Sequence, residues 1–517
     1  MLYPSRKRGV PVRAMLLVVA IVFSGAVCAE ELPKATVTID PAAQTVAYNR
    51  MIFGGFLEHF HRQILGGIFE PGSPLSDANG FRKDVIEAIK ELRTPVVRWP
   101  GGCFVSSYHW KDGVGKDRQP SYDKAWGVED PNIFGSDEFV AWCRLAGIEP
   151  YICGNAGTGT PEEMSDWVEY CNQDKGRWAR LRSAGGHPQP YNVRFWSIGN
   201  ENYGDWEIGA KTAQEWGLFV RETAKMIRHV DSSTVLLAAA LSDEGWTKNL
   251  LQNAGGSLNM VSIHGYWDPL WQQDNPSDYA TCMMRSDQPA RQIAATERII
   301  EKAGFRGRIG IAFDEWNLRG WHHPGRYHEQ IQARDRNDRN ATYTMADAIF
   351  SAGFLNTCLR HAETVKMANI APLVNTRGPL YVHPKGIVKR TTFHVLAMYA
   401  NLLAPRVVKA TVASDQFQHG GAAVPAVDAV ATCDPAKKTW RIVLVNRHAS
   451  AMLDCTVKLG DKPLEGSFRA TILSGDSPDA YNDTDKPEWV VPSKAELTFA
   501  NGAAQLPPHS LTILEVP

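Results

Sequence analysis

The chain has 517 residues, of which 44% are hydrophobic and 21% charged, a composition typical of a globular protein with a large core and more than one domain. Its formal net charge is -1, with 55 Lys and Arg against 56 Asp and Glu, which disfavours nucleic acid as a partner. The 16 Trp and 15 Tyr are expected mostly in the core, and those beside strand ends are candidates for stacking on sugars.

Residues 1–29 have the pattern of a secretory signal peptide. A basic stretch is followed by the apolar run Ala14–Val27, and Val27-Cys28-Ala29 fits a small-residue cleavage site. The apolar run is too short for a confident membrane span. A lipoprotein anchor on Cys28 is disfavoured because Val27 is bulky where a small residue is expected. We therefore predict an exported protein, periplasmic or extracellular, with no membrane attachment after cleavage near Ala29.

The remaining cysteines are scattered and show no C-x-x-C spacing, so we expect neither a zinc site nor any other metal or cofactor. Most lie in apolar contexts, which favours buried free thiols. Export permits disulfides, and Cys433 with Cys455 is the pair to examine.

Alternating strands occur in residues 30–50 and return only after residue 405, so an N-terminal strand is predicted to join a C-terminal β-domain. Between residues 51 and 404, apolar strands alternate with amphipathic helices. Eight such units favour an α/β fold, a (β/α)8 TIM barrel, over an open sheet. The predicted barrel strands are Ile52–Phe56, Pro95–Trp99, Glu149–Cys153, Val193–Ile198, Thr234–Ala239, Met260–Ile263, Arg308–Phe313 and Val365–Ala371. Residues 405–517 contain short strands broken by Gly, Pro, Asp and Asn, which predicts a β-sandwich domain.

Two of these strands carry similar polar motifs at their ends. Val193–Ile198 is followed by Gly199, Asn200 and Glu201, and Arg308–Phe313 is followed by Asp314 and Glu315. In a parallel barrel both glutamates face the same mouth. A retaining glycosidase needs two carboxyls about 5–5.5 Å apart, one an acid/base with a raised pKa and the other an ionised nucleophile. One Asn-Glu pair alone would indicate only a loop carboxylate that caps a helix, whereas two at matching strand ends favour catalysis.

Five motifs, in order, resemble those of glycoside hydrolase family 51, which consists mostly of α-L-arabinofuranosidases. They are F-G-G-F-L-E-H, R-W-P-G-G-C-F, W-S-I-G-N-E-N, S-I-H-G-Y and F-D-E-W-N, and the resemblance runs from about residue 35 to the C-terminus. It implies that Glu201 is the general acid/base and Glu315 the nucleophile. It also implies a barrel with a β-sandwich, which agrees with the strand pattern.

The same resemblance implies a subsite for the cleaved furanose. Glu58, Asn200 and Tyr266 would line it, with His264 supporting that wall. Trp267 is equally a packing residue or a substrate wall, and Arg98 is expected to support the nucleophile region.

At Cys103 the chain departs from several members of the family, which carry a sugar-binding Asn at this position. Other members of the family carry Cys there. Arg390 stands about where some members place a sugar-binding Gln. We include both Cys103 and Arg390 among the candidate substrate-binding residues.

The sequence thus predicts a retaining, exo-acting α-L-arabinofuranosidase. Its expected partner is an arabinose-containing oligo- or polysaccharide such as arabinoxylan or arabinan. The alternatives are another retaining glycosidase on this scaffold, such as an endo-β-glucanase, xylanase or galactofuranosidase, and a non-catalytic carbohydrate-binding protein. Resembling proteins are often hexamers, so a homo-oligomer is also a prediction.

Overall fold

The computed structural model describes residues 31–270, 275–320 and 338–517, so the proposed signal peptide lies outside the described residues. Eight parallel strands close into a barrel in chain order, and this confirms the predicted fold. The barrel strands are β1 Gly54–Phe56, β2 Val96–Trp99, β3 Glu149–Gly154, β4 Phe195–Ile198, β5 Val235–Ala239, β6 Met260–Asp268, β7 Gly310–Arg319 and β8 Val365–Ile370.

Helices surround the barrel, and most are amphipathic with their apolar faces towards the strands, whereas α9 is buried on all sides between the barrel and the β-domain. In the described residues they are α1 Lys83–Leu92, α2 Ser136–Ala146, α3 Pro161–Asn172, α4 Arg177–Ala184, α5 Ala213–Val230, α6 Glu244–Ala254, α7 Tyr279–Met284, α8 Gln288–Lys302, α9 Met345–Arg360 and α10 Thr391–Leu402. The side chain of Thr160 caps α3 by accepting a hydrogen bond from the Glu163 backbone. Among the described helices, none has the length and apolar character needed to cross a membrane.

Strands β6 and β7 are longer than predicted and carry site residues within them. The sequence predicts their ends at Ile263 and Phe313, whereas β6 continues to Asp268 and β7 to Arg319. Ser262 pairs with Ala312 but His264 pairs with Glu315, so β7 contains one extra residue here. This irregularity is a β-bulge, which changes the face to which the following side chains point.

The β-domain contains two sheets, which form the predicted sandwich. One contains Ala410–Ser414, Lys34–Ile39, Leu453–Leu459, Lys462–Pro463 and Ala503–Leu506, and the other contains Val46–Ala47, Arg406–Val408, Val427–Asp434, Thr439–Asn446, Ser510–Val516, Gly466–Leu473 and Ser493–Phe499. The N-terminal strand Lys34–Ile39 pairs antiparallel with Ala410–Ser414 and parallel with Leu453–Leu459. Cys433 and Cys455 lie in different sheets, and both are free thiols.

Three two-stranded hairpins extend from these domains. They are Ser121–Asp123 with Val128–Asp130, Leu380–His383 with Gly386–Lys389, and Gln416–His419 with Ala422–Pro425. The first matters for function because its turn carries Trp126 into the mouth of the barrel.

The β-domain is fixed to the barrel through α9. The guanidinium of Arg360 donates to Oδ1 of Asp428 in the sandwich at 2.7 Å, and Asn356 donates to its Oδ2 at 3.2 Å. Asp428 also pairs with Arg447, and these buried polar contacts fix the orientation of the two domains.

Candidate active site

Glu201 lies in a tight turn directly after β4. Gly199 has φ +68° and Glu201 has φ +45°, so the chain is left-handed at both positions. A Cβ atom on Gly199 would lie 2.2 Å from the side-chain oxygen of Asn202, so the turn requires glycine there. A left-handed glutamate is strained, and such strain is typical of residues held in place for function.

Three donors surround the carboxylate of Glu201. Nδ1 of His264 lies 2.8 Å from Oε1, the indole of Trp206 donates to Oε2 at 3.0 Å, and the hydroxyl of Tyr203 lies 3.3 Å from Oε1. Burial alone would raise the pKa of Glu201, but the hydrogen bond and charge of His264 lower it below its ordinary value. The sequence predicts a raised pKa for the acid/base, whereas the contact with the His264 cation favours the ionised carboxylate.

The charge of His264 follows from its surroundings. Burial lowers its pKa, but the nearby Glu315 and the hydrogen bonds to Asp314 and Glu201 raise that pKa to about 10. His264 therefore supports Glu201 as a buried cation.

The bulge in β7 turns two consecutive carboxylates into the barrel. Asp314 accepts hydrogen bonds from Tyr151 at 2.7 Å and Ser262 at 2.5 Å. Glu315 accepts from the guanidinium of Arg98, as predicted, and from the hydroxyl of Tyr266 at 2.8 Å. Regular alternation would place one of the two carboxylates on the outer face of the strand.

The two glutamates face each other across the barrel mouth. A carboxylate oxygen of Glu201 lies within 4.8 Å of one from Glu315. This close approach fits double displacement, in which the second carboxylate attacks the sugar. In inverting enzymes the two carboxyls are about 6.5–9.5 Å apart, because a water molecule must fit between one of them and the sugar.

Glu58 forms the wall beside Glu315. Its Oε1 accepts hydrogen bonds from the backbone N–H of Phe104 and the indole of Trp126, each at 3.0 Å. Burial, followed by the charge of Glu315, raises the pKa of Glu58 to about 8. Glu58 is therefore a carboxylic acid at neutral pH, able to donate a hydrogen bond to a sugar hydroxyl.

Asn200 is held in one orientation. Arg98 donates to its Oδ1 at 2.8 Å, and its Nδ2 faces Oε2 of Glu207 at 3.4 Å. Cys103 offers its sulfur within 4.8 Å of carboxylate oxygens from both Glu201 and Glu207. Glu207 is absent from the sequence predictions, because a lone glutamate in a loop has no distinguishing pattern.

Two of the predicted substrate-binding residues, Trp267 and Arg390, do not face the site. Trp267 packs against Phe350 and Phe354 of α9 and donates to Gln292, so it belongs to the layer between barrel and helices. The reason is alternation along β6, which turns Tyr266 inwards and Trp267 outwards. Trp316 likewise stacks on Phe354.

Arg390 is fully buried, and its guanidinium donates to Asn340, to the carbonyl of Thr376 and to that of Gly378. Through these hydrogen bonds Arg390 stabilises the segment after β8. It does not present its guanidinium to a ligand.

Two groups of side chains in the described residues have the spacing of metal ligands: Cys103, Glu201 and Glu207, and Glu201, His264 and Glu315. Both include Glu201, and the second also includes Glu315. In the second, the pKa of His264 is raised to about 10, so its nitrogen atoms carry protons at neutral pH rather than free lone pairs.

Comparisons with known proteins agree with this geometry. Residues 88–284 match the α-L-arabinofuranosidase 1 domain and residues 314–510 the α-L-arabinofuranosidase C-terminal domain. A probable α-L-arabinofuranosidase C from Aspergillus flavus is 34% identical over 93% of this chain and 97% of its own. An intracellular exo-α-(1->5)-L-arabinofuranosidase 1 from Bacillus subtilis is 33% identical over 81% of this chain and 86% of its own. The arabinose complex of an α-L-arabinofuranosidase from Thermotoga maritima has a TM-score of 0.83 and 32% identity, covering 93% of this chain and 100% of that one.

Proposed function

Because this chain belongs to glycoside hydrolase family 51, the family of α-L-arabinofuranosidases, we propose that it removes terminal α-L-arabinofuranosyl residues from arabinoxylan, arabinan or their oligosaccharides. The reaction is hydrolysis with retention of anomeric configuration. The observation that carries the proposal is the pair of carboxylates, Glu201 and Glu315, with oxygens within 4.8 Å of each other at the barrel mouth.

In the first step, Oε2 or Oε1 of Glu315 attacks the anomeric carbon while Glu201 protonates the departing oxygen. Arg98 and Tyr266 hold the nucleophile by hydrogen bonds, which fixes its direction of attack. The bond from the anomeric carbon to the leaving oxygen breaks as the ester to Glu315 forms.

In the second step, Glu201 is ionised and removes a proton from water, which attacks the same carbon and releases Glu315. His264 contacts Glu201 throughout and stabilises its ionised form. Glu58 and the amide of Asn200 are placed to hold the furanose hydroxyls, and a hydrogen bond to the 2-hydroxyl strengthens in the transition state.

The side of the site that faces the leaving group is exposed to solvent, whereas the side that holds the furanose is buried. Glu58 and Glu315 are buried, whereas the side chain of Trp206 is 59% exposed and lies against Glu201. An enclosed site for one sugar beside an exposed aromatic surface supports exo action on a longer chain, whose next sugar stacks on the indole.

A panel of nitrophenyl glycosides tests the proposal, with product configuration followed by NMR. We expect α-L-arabinofuranoside to be the preferred substrate, with α-L-arabinofuranose as the first product before mutarotation, which is the outcome that retention requires. Dominant turnover of a pyranoside or galactofuranoside would assign the chain to another glycosidase activity. Tight sugar binding without turnover would indicate a carbohydrate-binding protein.

We also propose that the protein is exported and cleaved after Ala29, on the evidence of the basic and apolar segments in residues 1–29. Intact-mass analysis of secreted protein should give a chain beginning at Glu30. Retention of Met1 would contradict this. Light scattering of the same sample tests the predicted homo-oligomer.

A further inference from the structure

Glu207 is a further carboxyl at the site, beside Glu58, Glu201, Asp314 and Glu315, and the two-carboxylate mechanism gives it no role. It lies in the loop between β4 and α5 and is buried. One oxygen accepts from the hydroxyl of Ser106, the other faces the amide of Asn200 at 3.4 Å, and a carboxylate oxygen lies within 4.8 Å of one from Glu201. A buried carboxyl beside the acid/base is costly unless its interactions serve the site.

We propose that Glu207 is a positioning residue that holds the amide of Asn200 towards the sugar and, through its charge, governs the pH at which Glu201 loses the proton that the acid step uses. The inference rests on the proposed function, because it assumes that Glu201 is the acid/base.

The orientation of Asn200 follows from its two partners. Arg98 has only N–H donors, so the oxygen of the amide must face it. The Nδ2 group is then on the side of Glu207, whose carboxylate accepts one of its two hydrogens. The second hydrogen is left for a sugar hydroxyl.

The effect of Glu207 on the proton of Glu201 follows from the opposite surroundings of the two carboxyls. His264 and Trp206 donate to Glu201 and favour its ionised form. Burial, followed by the charge of Glu201, raises the pKa of Glu207 to about 7. Two carboxyls this close do not both ionise readily, so the pair keeps one proton up to near neutral pH.

The surroundings of Glu207 accommodate this proton. The hydroxyl of Ser106 is able to donate to an ionised Glu207 or accept from a protonated one. The titratable groups that face Glu207 are Cys103, Glu201, Glu315, Glu58 and Tyr203. During the reaction the proton leaves Glu201 for the departing oxygen, and the attacking water returns one to Glu201.

The test compares Glu207→Gln with wild-type enzyme on two α-L-arabinofuranosides, one with a poor alkoxide leaving group and one with dinitrophenolate. Glutamine keeps both hydrogen-bonding positions but has no titratable proton. With the poor leaving group, the basic limb of the kcat/KM profile should move to lower pH by about one unit or more. With dinitrophenolate, which needs no proton, kcat/KM should stay within about threefold of wild type.

Glu207→Asp makes the complementary change, because it keeps an ionisable group and withdraws it from Asn200. Its basic limb should stay at the wild-type pH while kcat/KM falls on both substrates. Glu222→Gln changes a surface carboxyl on α5 whose side chain is 43% exposed, so it is the matched control and should change neither quantity.

An unmoved basic limb in Glu207→Gln, or an equal loss on both substrates, would overturn the proposal in favour of a purely structural role. Should Glu207→Gln not fold, a basic limb displaced in Glu207→Asp would overturn it as well. If wild-type enzyme is inactive on arabinofuranosides, the proposed function fails first. The same comparison then uses the glycoside that the panel identifies.

Discussion

The hydroxyl of Tyr266 donates a hydrogen bond of 2.8 Å to Oε2 of Glu315. Its ring also lies against the guanidinium of Arg377, at 4.5 Å. Tyr266 therefore positions the nucleophile, and its own ring is held in place by Arg377. Removing only its hydroxyl oxygen tests the contact with Glu315 and leaves the contact with Arg377 intact.

Tyr266→Phe should lower kcat/KM about 10- to 100-fold, the effect of losing one hydrogen bond to a charged group. The ring and its contact with Arg377 remain, so the melting temperature should change little. Steady-state kinetics and calorimetry on the same sample check both parts. Activity within twofold of wild type would show that Arg98 alone positions Glu315.

Replacing each glutamate by alanine should give different chemistry. Glu315→Ala should lose activity on every substrate because no nucleophile remains. Glu201→Ala should still release dinitrophenolate in a burst and then turn over slowly, because the second step has lost its base.

Azide distinguishes the two roles. It should rescue Glu201→Ala and give a glycosyl azide of retained configuration, whereas rescue of Glu315→Ala should give the inverted product. NMR of the products decides the matter, and exchanged outcomes would reverse the assignment of acid/base and nucleophile.

Trp206→Phe should move the basic limb of kcat/KM to higher pH. The indole N–H stabilises the ionised form of Glu201, so its loss raises the pKa of that carboxyl and the acid keeps its proton for longer. We expect a shift of up to about one unit, measured with a poor leaving group. A shift to lower pH would show that the indole does not act on Glu201.

Glu58→Gln should stabilise the protein at the expense of activity. Because burial and the charge of Glu315 raise the pKa of Glu58 to about 8, the folded protein holds a proton there that the unfolded chain loses above its ordinary pKa. Its contribution to stability therefore falls as pH rises from about 4.5 to 8. The melting temperature of the variant should exceed that of wild type at pH 8, and the difference should be smaller at pH 5. An equal difference at both pH values would contradict this account.

Chelation should leave activity unchanged. Two carboxylates suffice for double displacement and need no Lewis acid. We expect full activity after dialysis against EDTA, assayed with a nitrophenyl arabinofuranoside. A loss that a divalent cation restores would assign a metal to one of the two clusters at the site.

The sequence predicts the barrel well because its signal is local. Each barrel strand is an apolar run that ends in a polar motif. Strand β3 begins at the predicted residue, and β2, β4 and β5 each begin within two residues of their predicted starts. The paired glutamates follow from the same pattern, because strand ends in a parallel barrel meet at one mouth.

What the sequence could not predict depends on geometry between elements. The bulge in β7 is fixed by pairing with β6, so the outward direction of Trp316 could not be read from local spacing. The direction of Trp267 could not be read because the predicted strand ends at Ile263, whereas β6 continues to Asp268. Arg390 directly follows the hairpin of Leu380–His383 and Gly386–Lys389, and its guanidinium donates to the carbonyls of Thr376 and Gly378 in the segment before that hairpin. Glu207 becomes notable only through its burial next to Glu201, which no residue pattern encodes.

The N-terminal strand Lys34–Ile39 has partners that are synthesised about 370 residues and more later, since Ala35 pairs with Ser414 and Cys455. The sandwich therefore cannot be completed until the whole barrel has left the ribosome, and its first strand must wait unpaired in the meantime. A chain cut at the end of the barrel would keep an exposed strand with no sheet to join. The two domains are thus a single unit of biosynthesis, although each has its own architecture.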